Sequence, residues 1–272
     1  MTRLLAELQT TIVARGLGLA EGNLDRFAML SLIVRQTIAM PGEPARAISV
    51  LSLASSLSAP YETVRRNVGR LVANGLCERR AGGVAVSAAG AVVLEPFLTL
   101  THDALLRFVA KLAAAGVALP APRPTVVYVP VAGVRAAADI MLAVLDGNRD
   151  PHGDWLQLVI FSAVLNIGQA ALIDDPTLSR RYPDEHHDVP RDVDAAVRAA
   201  TVAQRLGLPE TTVRRQLAAM TRDGRIERDG AGFRVAQAWL NRPANVQVSR
   251  ASYSNVRRIL ESLAATGFPF PA

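Results

Sequence analysis

The stretch 60–86 recurs at 209–235, 149 positions further along the chain. The first copy reads PYETVRRNVGRLVANGLCERRAGGVAV and the second PETTVRRQLAAMTRDGRIERDGAGFRV. Pro60 answers Pro209, Thr63-Val64-Arg65-Arg66 answers Thr212-Val213-Arg214-Arg215, and Gly75 answers Gly224. Glu78-Arg79 answers Glu227-Arg228, and Val86 answers Val235. Self-similarity at one spacing marks a duplicated architecture, so any fold for this chain must contain the same unit twice. The length, 272 residues, suits two domains, and half the residues are hydrophobic, enough for sizeable cores.

Each copy dictates its own local structure. Val64, Val68 and Leu71, and in parallel Val213, Leu217 and Met220, fall at i, i+4 and i+7, the spacing of one buried helical face. Proline stands at the predicted first turn of both helices, where a missing N–H costs nothing. Gly75 and Gly224 are predicted to end them. A hairpin follows, turning at Ala81-Gly82-Gly83 and at Gly230-Ala231-Gly232.

The rest of the order is also predicted twice. In the first half, helices span 4–14 and 24–40, a small strand lies near Ile48, and helices span 52–57 and 60–74. Strands near 77–80 and 84–87 follow, and helix 101–115 closes the half. In the second half, helices span 134–145 and 154–173, a helix-turn-helix spans 200–223, a hairpin 226–236, and a closing helix 253–266. The proline-rich stretch 118–130 reads as a linker. The predicted division is therefore 1–118, linker 119–130, and 131–272. Segment 174–194, with seven acids, three arginines and three prolines, reads as an exposed loop.

Charge follows the repeat. All 30 basic residues except Lys111 are arginine, and the net charge is +6. Segments 46–87 and 198–235 each carry an excess of four positive charges, so the remainder of the chain is net negative. That is the distribution a phosphate-binding footprint requires. The face opposite the apolar stripe presents Thr63, Arg65, Arg66, Asn67 and Arg70 in one copy, and Thr212, Arg214, Arg215 and Gln216 in the other. Arg can bond guanine in bidentate fashion, and Asn or Gln can bond adenine. Arg79, Arg80, Arg228 and Arg234 flank the hairpins, where phosphates would lie.

Both copies resemble the winged helix-turn-helix of bacterial transcription regulators of the GntR, MarR and IclR kind. Thr212-Val213-Arg214-Arg215 followed by Gly-Ala-Gly-Phe-Arg-Val at 230–235 is similar to the GntR pattern, whereas the first hairpin lacks the aromatic. The resemblance implies a mainly α fold with small β wings, two winged-helix repeats related by internal duplication, each with extra flanking helices. It implies double-stranded DNA as partner and transcription regulation as function. Helices 24–40 and 154–173 are expected to pack together in a built-in pseudo-dimer reading two unlike half-sites about one helical turn (~34 Å) apart. The substitutions Glu210 and Asp229 single out the second copy as the poorer reader. Two other readings stay open: a winged-helix protein–protein scaffold, and a replication-initiator-type DNA-binding protein. Homodimerisation also stays open.

Other features point away from catalysis. His186-His187, beside Asp184, Glu185 and Asp188, lie in a proline-rich acidic loop without further ligands at metal spacing, so neither metal nor cofactor is expected. Cys77, the one cysteine, is expected to be a core residue. A single cysteine suits a reducing cytosol, and the N-terminus lacks a signal-peptide pattern, so a cytoplasmic protein is expected. Trp155–Ile173 nears membrane-spanning length but contains Gln157, Asn166 and Gln169, and reads as a buried core helix. Ser162, Asn166 and Gln169 form a narrow polar stripe on it, a seam between helices or the lining of a small-molecule effector pocket.

Overall fold

The computed structural model describes residues 1–38, 46–121, 123, 126–182 and 189–271. The first half comprises α1 (Thr2–Leu19), α2 (Leu24–Thr37), α3 (Val50–Ser56), α4 (Tyr61–Ala73), β1 (Cys77–Arg80), β2 (Gly83–Val86) and α5 (Ala88–Ala114). The second begins with α6 (Pro130–Gly147), α7 (Arg149–His152), α8 (Trp155–Gly168), α9 (Ala170–Asp174) and α10 (Pro176–Arg181). It continues with α11 (Ala199–Leu206), α12 (Glu210–Arg222), β3 (Ile226–Asp229), β4 (Gly232–Val235), α13 (Gln237–Leu240) and α14 (Pro243–Ala264). The chain is thus mainly helical, with two small antiparallel sheets.

The two helix–helix–hairpin segments keep one register. Cys77 faces Val86 and Arg80 faces Gly83; Ile226 faces Val235 and Asp229 faces Gly232. A further extended residue bridges each hairpin, Ile48 to Val84 and Val197 to Phe233. Corresponding positions differ by 149 throughout. Val64, Val68, Leu71, Val213, Leu217 and Met220 are completely buried, as their spacing predicts.

The halves are interleaved. α1 packs chiefly on α8 and α5, and also touches α11; α6 packs on α14, α5 and α2. Each half's leading helix therefore serves the other half's core, and one continuous apolar cluster runs through both. This corrects the expectation that α2 and α8 pack on one another. α2 leans chiefly on α4, β2 and α6, and α8 on α1, α11, α12 and β4. Arg35 crosses the same boundary to pair with Asp139.

α14 starts at Pro243, ten residues before the predicted 253, and α6 starts at Pro130, within the predicted linker. Three further boundaries differ from expectation for physical reasons. α5 starts at Ala88 rather than 101, because the Ser87 side chain accepts from Gly90 N and caps it, and it continues through Pro96. The predicted helix 154–173 stops at Gly168, whose carbonyl accepts from Ala195 N at 2.8 Å. The expected loop after 174 opens with α10, capped by the Asp175 side chain bonding Thr177 N and Leu178 N. α5 is the one described helix long and apolar enough to cross a membrane. Its Leu94, Phe97, Leu105 and Phe108 lie in the core. Most of α8 is buried.

Candidate nucleic-acid interface

α12 and β3–β4 frame one face of the second half. Pro209 precedes α12 as its cap residue, one position earlier than predicted, and Pro60 does the same for α4. Gly224, at φ +69, turns the chain out of α12, and Arg225 N then bonds back to Met220 O at 2.9 Å. Gly75 and the Leu76 N to Leu71 O bond repeat this after α4. Left-handed geometry at this point is what glycine tolerates best.

Arg214, Arg215 and Arg228 are exposed, and Thr212 is half-buried. A cleft of about 620 Å³ separates α12 from the hairpin, lined by Arg198, Glu210, Arg214, Arg222, Arg228 and Phe233. The Arg228 guanidinium lies over the Phe233 ring, 5.8 Å from its centroid. Arg198 and Arg222 were not singled out from the sequence. The signal for Arg222 was present, because it stands eight positions after Arg214 on the same helical face. Arg214 pairs with Glu210 at 2.6 Å on the exposed surface. Such pairs contribute little, so this one leaves the guanidinium free to exchange partners.

The first half offers as many arginines in the same frame, differently placed. Arg65, Arg66, Arg70, Arg79 and Arg80 are exposed and Thr63 is half-buried. Arg65 pairs with Glu62 at 2.9 Å and Arg80 with Glu78 at 2.6 Å. Ser49 and Ala73 stand where the second half has Arg198 and Arg222. Asp229, read from the sequence as a charge against DNA, is occupied by Arg234 and Arg191. The second half in turn has Ala219 and Asp229 where the first has Arg70 and Arg80. Arg198, Arg214, Arg215, Arg222 and Arg228 therefore only equal the first half's five exposed arginines in number.

Three predicted readers face inward. Asn67 is buried, donates to Thr63 O at 3.0 Å, and accepts from Arg26 Nε at 3.4 Å. Gln216 accepts from Gln157 Nε2 at 3.1 Å and so ties α12 to α8. Both lie three positions after the first residue of the buried stripe, on its flank, which is why they brace the helix from behind. Arg234 is buried; its Nε bonds Asp229 at 2.7 Å and its Nη1 lies 3.7 Å from Asp194. It holds the hairpin to the segment before α11.

The polar stripe on α8 is buried as well. Ser162 Oγ donates to Gln9 at 2.7 Å, and Gln169 accepts from Arg3 at 2.6 Å. These are helix-to-helix bonds, and of the three stripe residues only Ser162 lines the partly open cavity beside α8. His102 Nε2 meets the Tyr128 hydroxyl at 2.8 Å, a partner the sequence did not reveal. His186 and His187 lie outside the described residues. Among the described residues, no three His, Cys, Asp or Glu side chains are grouped to hold a metal ion.

Cys77 is buried inside β1, and burial pushes its thiol up to about 12. A thiolate is the reactive form. The native protein should therefore resist a disulfide reagent at about pH 8 and react only when unfolded. Rapid labelling of the folded chain would contradict this.

Helix, turn, helix and antiparallel hairpin, with an arginine-lined cleft between the second helix and the hairpin, define a winged helix-turn-helix. The model of the IclR helix-turn-helix domain matches residues 192–230, which run from before α11 through β3. No curated protein and no solved structure matches the chain. The match supports a DNA-binding regulator of transcription.

Proposed function

We propose that the chain regulates transcription by binding duplex DNA through two winged units, and that residues 195–235 form the principal reader. The observation that carries this reading is the arginine-lined cleft beside α12, which coincides with the IclR-type match. Arg214 and Arg215 reach the major groove from α12, while Arg198, Arg222 and Arg228 lie toward phosphates. The 46–86 segment makes a second, weaker contact through Arg66, Arg70 and Arg79. The constant 149-residue offset supports descent of both units from one duplicated segment. The two surfaces differ at the Arg198, Arg222 and Glu210 positions, so the preferred site is two unlike half-sites. On this reading the protein works in the bacterial cytoplasm.

Fluorescence anisotropy with duplex from the gene's own upstream region, at two salt concentrations, tests the proposal. Wild type should bind tightly and weaken steeply with salt, as counterion release requires. Arg214→Ala/Arg215→Ala should bind at least about tenfold more weakly and relax base preference, whereas Arg222→Ala/Arg228→Ala should lower the salt slope by about two, one for each arginine removed from a phosphate. Arg65→Ala/Arg66→Ala should weaken binding less than Arg214→Ala/Arg215→Ala. Absence of salt-sensitive binding by the wild type overturns DNA binding, and equal losses in these last two variants overturn the ranking of the units.

A further inference from the structure

A second site lies behind the winged face. α1, the end of α6, α7, α8 and the α13–α14 corner line a partly open cavity of about 50 Å³. Although the chain is rich in arginine, none of the residues lining it is Asp, Glu, Lys or Arg. Gln9 and His152 both line it, and both are 2% exposed. Gln9 Nε2 and His152 Nδ1 have no hydrogen-bond partner. Buried polar groups left unpaired are costly and are normally satisfied by protein, water or ligand.

The orphaned groups are held in place. Ser162 Oγ donates to the Gln9 carbonyl at 2.7 Å, which fixes the amide and leaves its NH₂ unused. The His152 ring packs against Phe161 and Trp239, with centroids 4.7 and 5.0 Å away. Phe161 and Trp239 themselves lie 4.9 Å apart, so three rings wall one side. Burial, with the Arg225 charge nearby, depresses the His152 ring to about 3, so the imidazole is neutral. A space of this size takes a few water-sized groups. It is therefore matched to the head of a small molecule rather than to a whole cofactor.

We propose that this cavity binds a small uncharged ligand through a carbonyl-bearing head, such as a primary amide, and that its occupancy is felt by the 195–235 unit. The head carbonyl accepts from Gln9 Nε2 and the imidazole nitrogen meets its polar edge, while the aromatic wall packs the apolar part. A carboxylate of the same shape would meet no cation lining the cavity, since Arg225 lies behind His152 with its guanidinium occupied by the His152 carbonyl and Asp223. Contact with the reader is direct. Arg225, buried between α12 and β3, donates from Nη1 to the His152 carbonyl at 3.0 Å. Trp239 and Leu240, which also line the cavity, follow β4 by a few residues. The part of this inference that concerns the reader rests on the DNA-binding proposal.

The chain has two tryptophans, Trp155 and Trp239, so 5-fluorotryptophan labelling of the full protein yields two ¹⁹F resonances, assigned with Trp155→Phe. Acetamide should shift the Trp239 resonance saturably, and acetate, its charged isostere, should not. Gln9→Leu should weaken the acetamide response by about tenfold, the loss of one buried hydrogen bond. No shift with acetamide or the larger benzamide would mean a cavity that holds only water and would overturn the site. An equal response to acetate would overturn the chemistry assigned to it. Duplex titrations with and without acetamide test the coupling, which should change wild-type affinity at least about threefold at saturation and need about tenfold more acetamide to do so in Gln9→Leu. A ¹⁹F shift with unchanged duplex affinity would overturn the coupling and leave the site. Failure to bind DNA at all would overturn the proposed function, while the ¹⁹F result would still decide the site.

Discussion

Arg234→Ala should destabilise the fold by about 3–5 kcal/mol, as expected when one member of a buried ion network is removed. Arg234 is held by Asp229 and lies against Asp194, whose side chain is only 15% exposed. Taking the guanidinium away leaves buried Asp194 with only the Gln169 hydrogen bond and the weaker Arg3 charge to offset its burial. Burial already raises the Asp194 carboxyl above its ordinary range, and Arg234 acts the other way. In the variant the raising effect acts with less opposition. A carboxyl whose folded pKa lies above the unfolded one adds stability below the unfolded value and loses it as pH rises through the folded value. The penalty of Arg234→Ala should accordingly be smaller at about pH 4.5 than at about pH 7.5 in urea titrations. Its folded form should bind duplex nearly as well as wild type. A stable variant that has lost DNA binding would return Arg234 to the DNA-facing surface.

Gly83→Ala should cost about 3 kcal/mol or more, because it strains the backbone and breaks buried hydrogen bonds together. Gly83 adopts φ +149, and an added Cβ would stand 2.1 Å from the carbonyl oxygen of Ile48. That oxygen belongs to a two-bond bridge, Ile48 N to Val84 O and Val84 N to Ile48 O, both 2.9 Å. A backbone atom has little room to move, and the segment it would push carries Ser49, which caps α3. Gly82→Ala is the control. Gly82 has φ +87 but open space around it, so only the conformational cost of about 1 kcal/mol applies. Thermal or urea unfolding that ranks the two variants equally would show that the close approach to Ile48 does not govern this hairpin.

The repeated unit was the legible part of this chain. The 3.6-residue spacing of Val64, Val68 and Leu71, the glycines that stop each helix, and the turn residues of each hairpin act over a few positions, so they can be read locally. α5 was half-hidden because Gly90 and Pro96 oppose a helix locally, whereas the Ser87 cap and the buried Leu94 and Phe97 favour it. Asn67 and Gln216 were read as facing outward because of their side-chain chemistry, although their place beside the apolar stripe pointed inward. Arg234 could not be separated from Arg228 by pattern, since what buries it is Asp194, forty positions earlier. The crossing of α1 and α6 into opposite halves depends on packing between residues more than a hundred positions apart and leaves no trace in local periodicity.

That crossing has a mechanical consequence. Two modules on a flexible tether would adapt to different separations on a duplex, at a cost set by the tether. Here α1 and α6 lock the halves through a shared interior, so the two arginine faces keep one separation and one relative rotation. The chain behaves as a rigid gauge. On the proposed reading, once one face has docked on a duplex the other arrives already aimed, so a target should be accepted or refused by its spacing as well as by its bases.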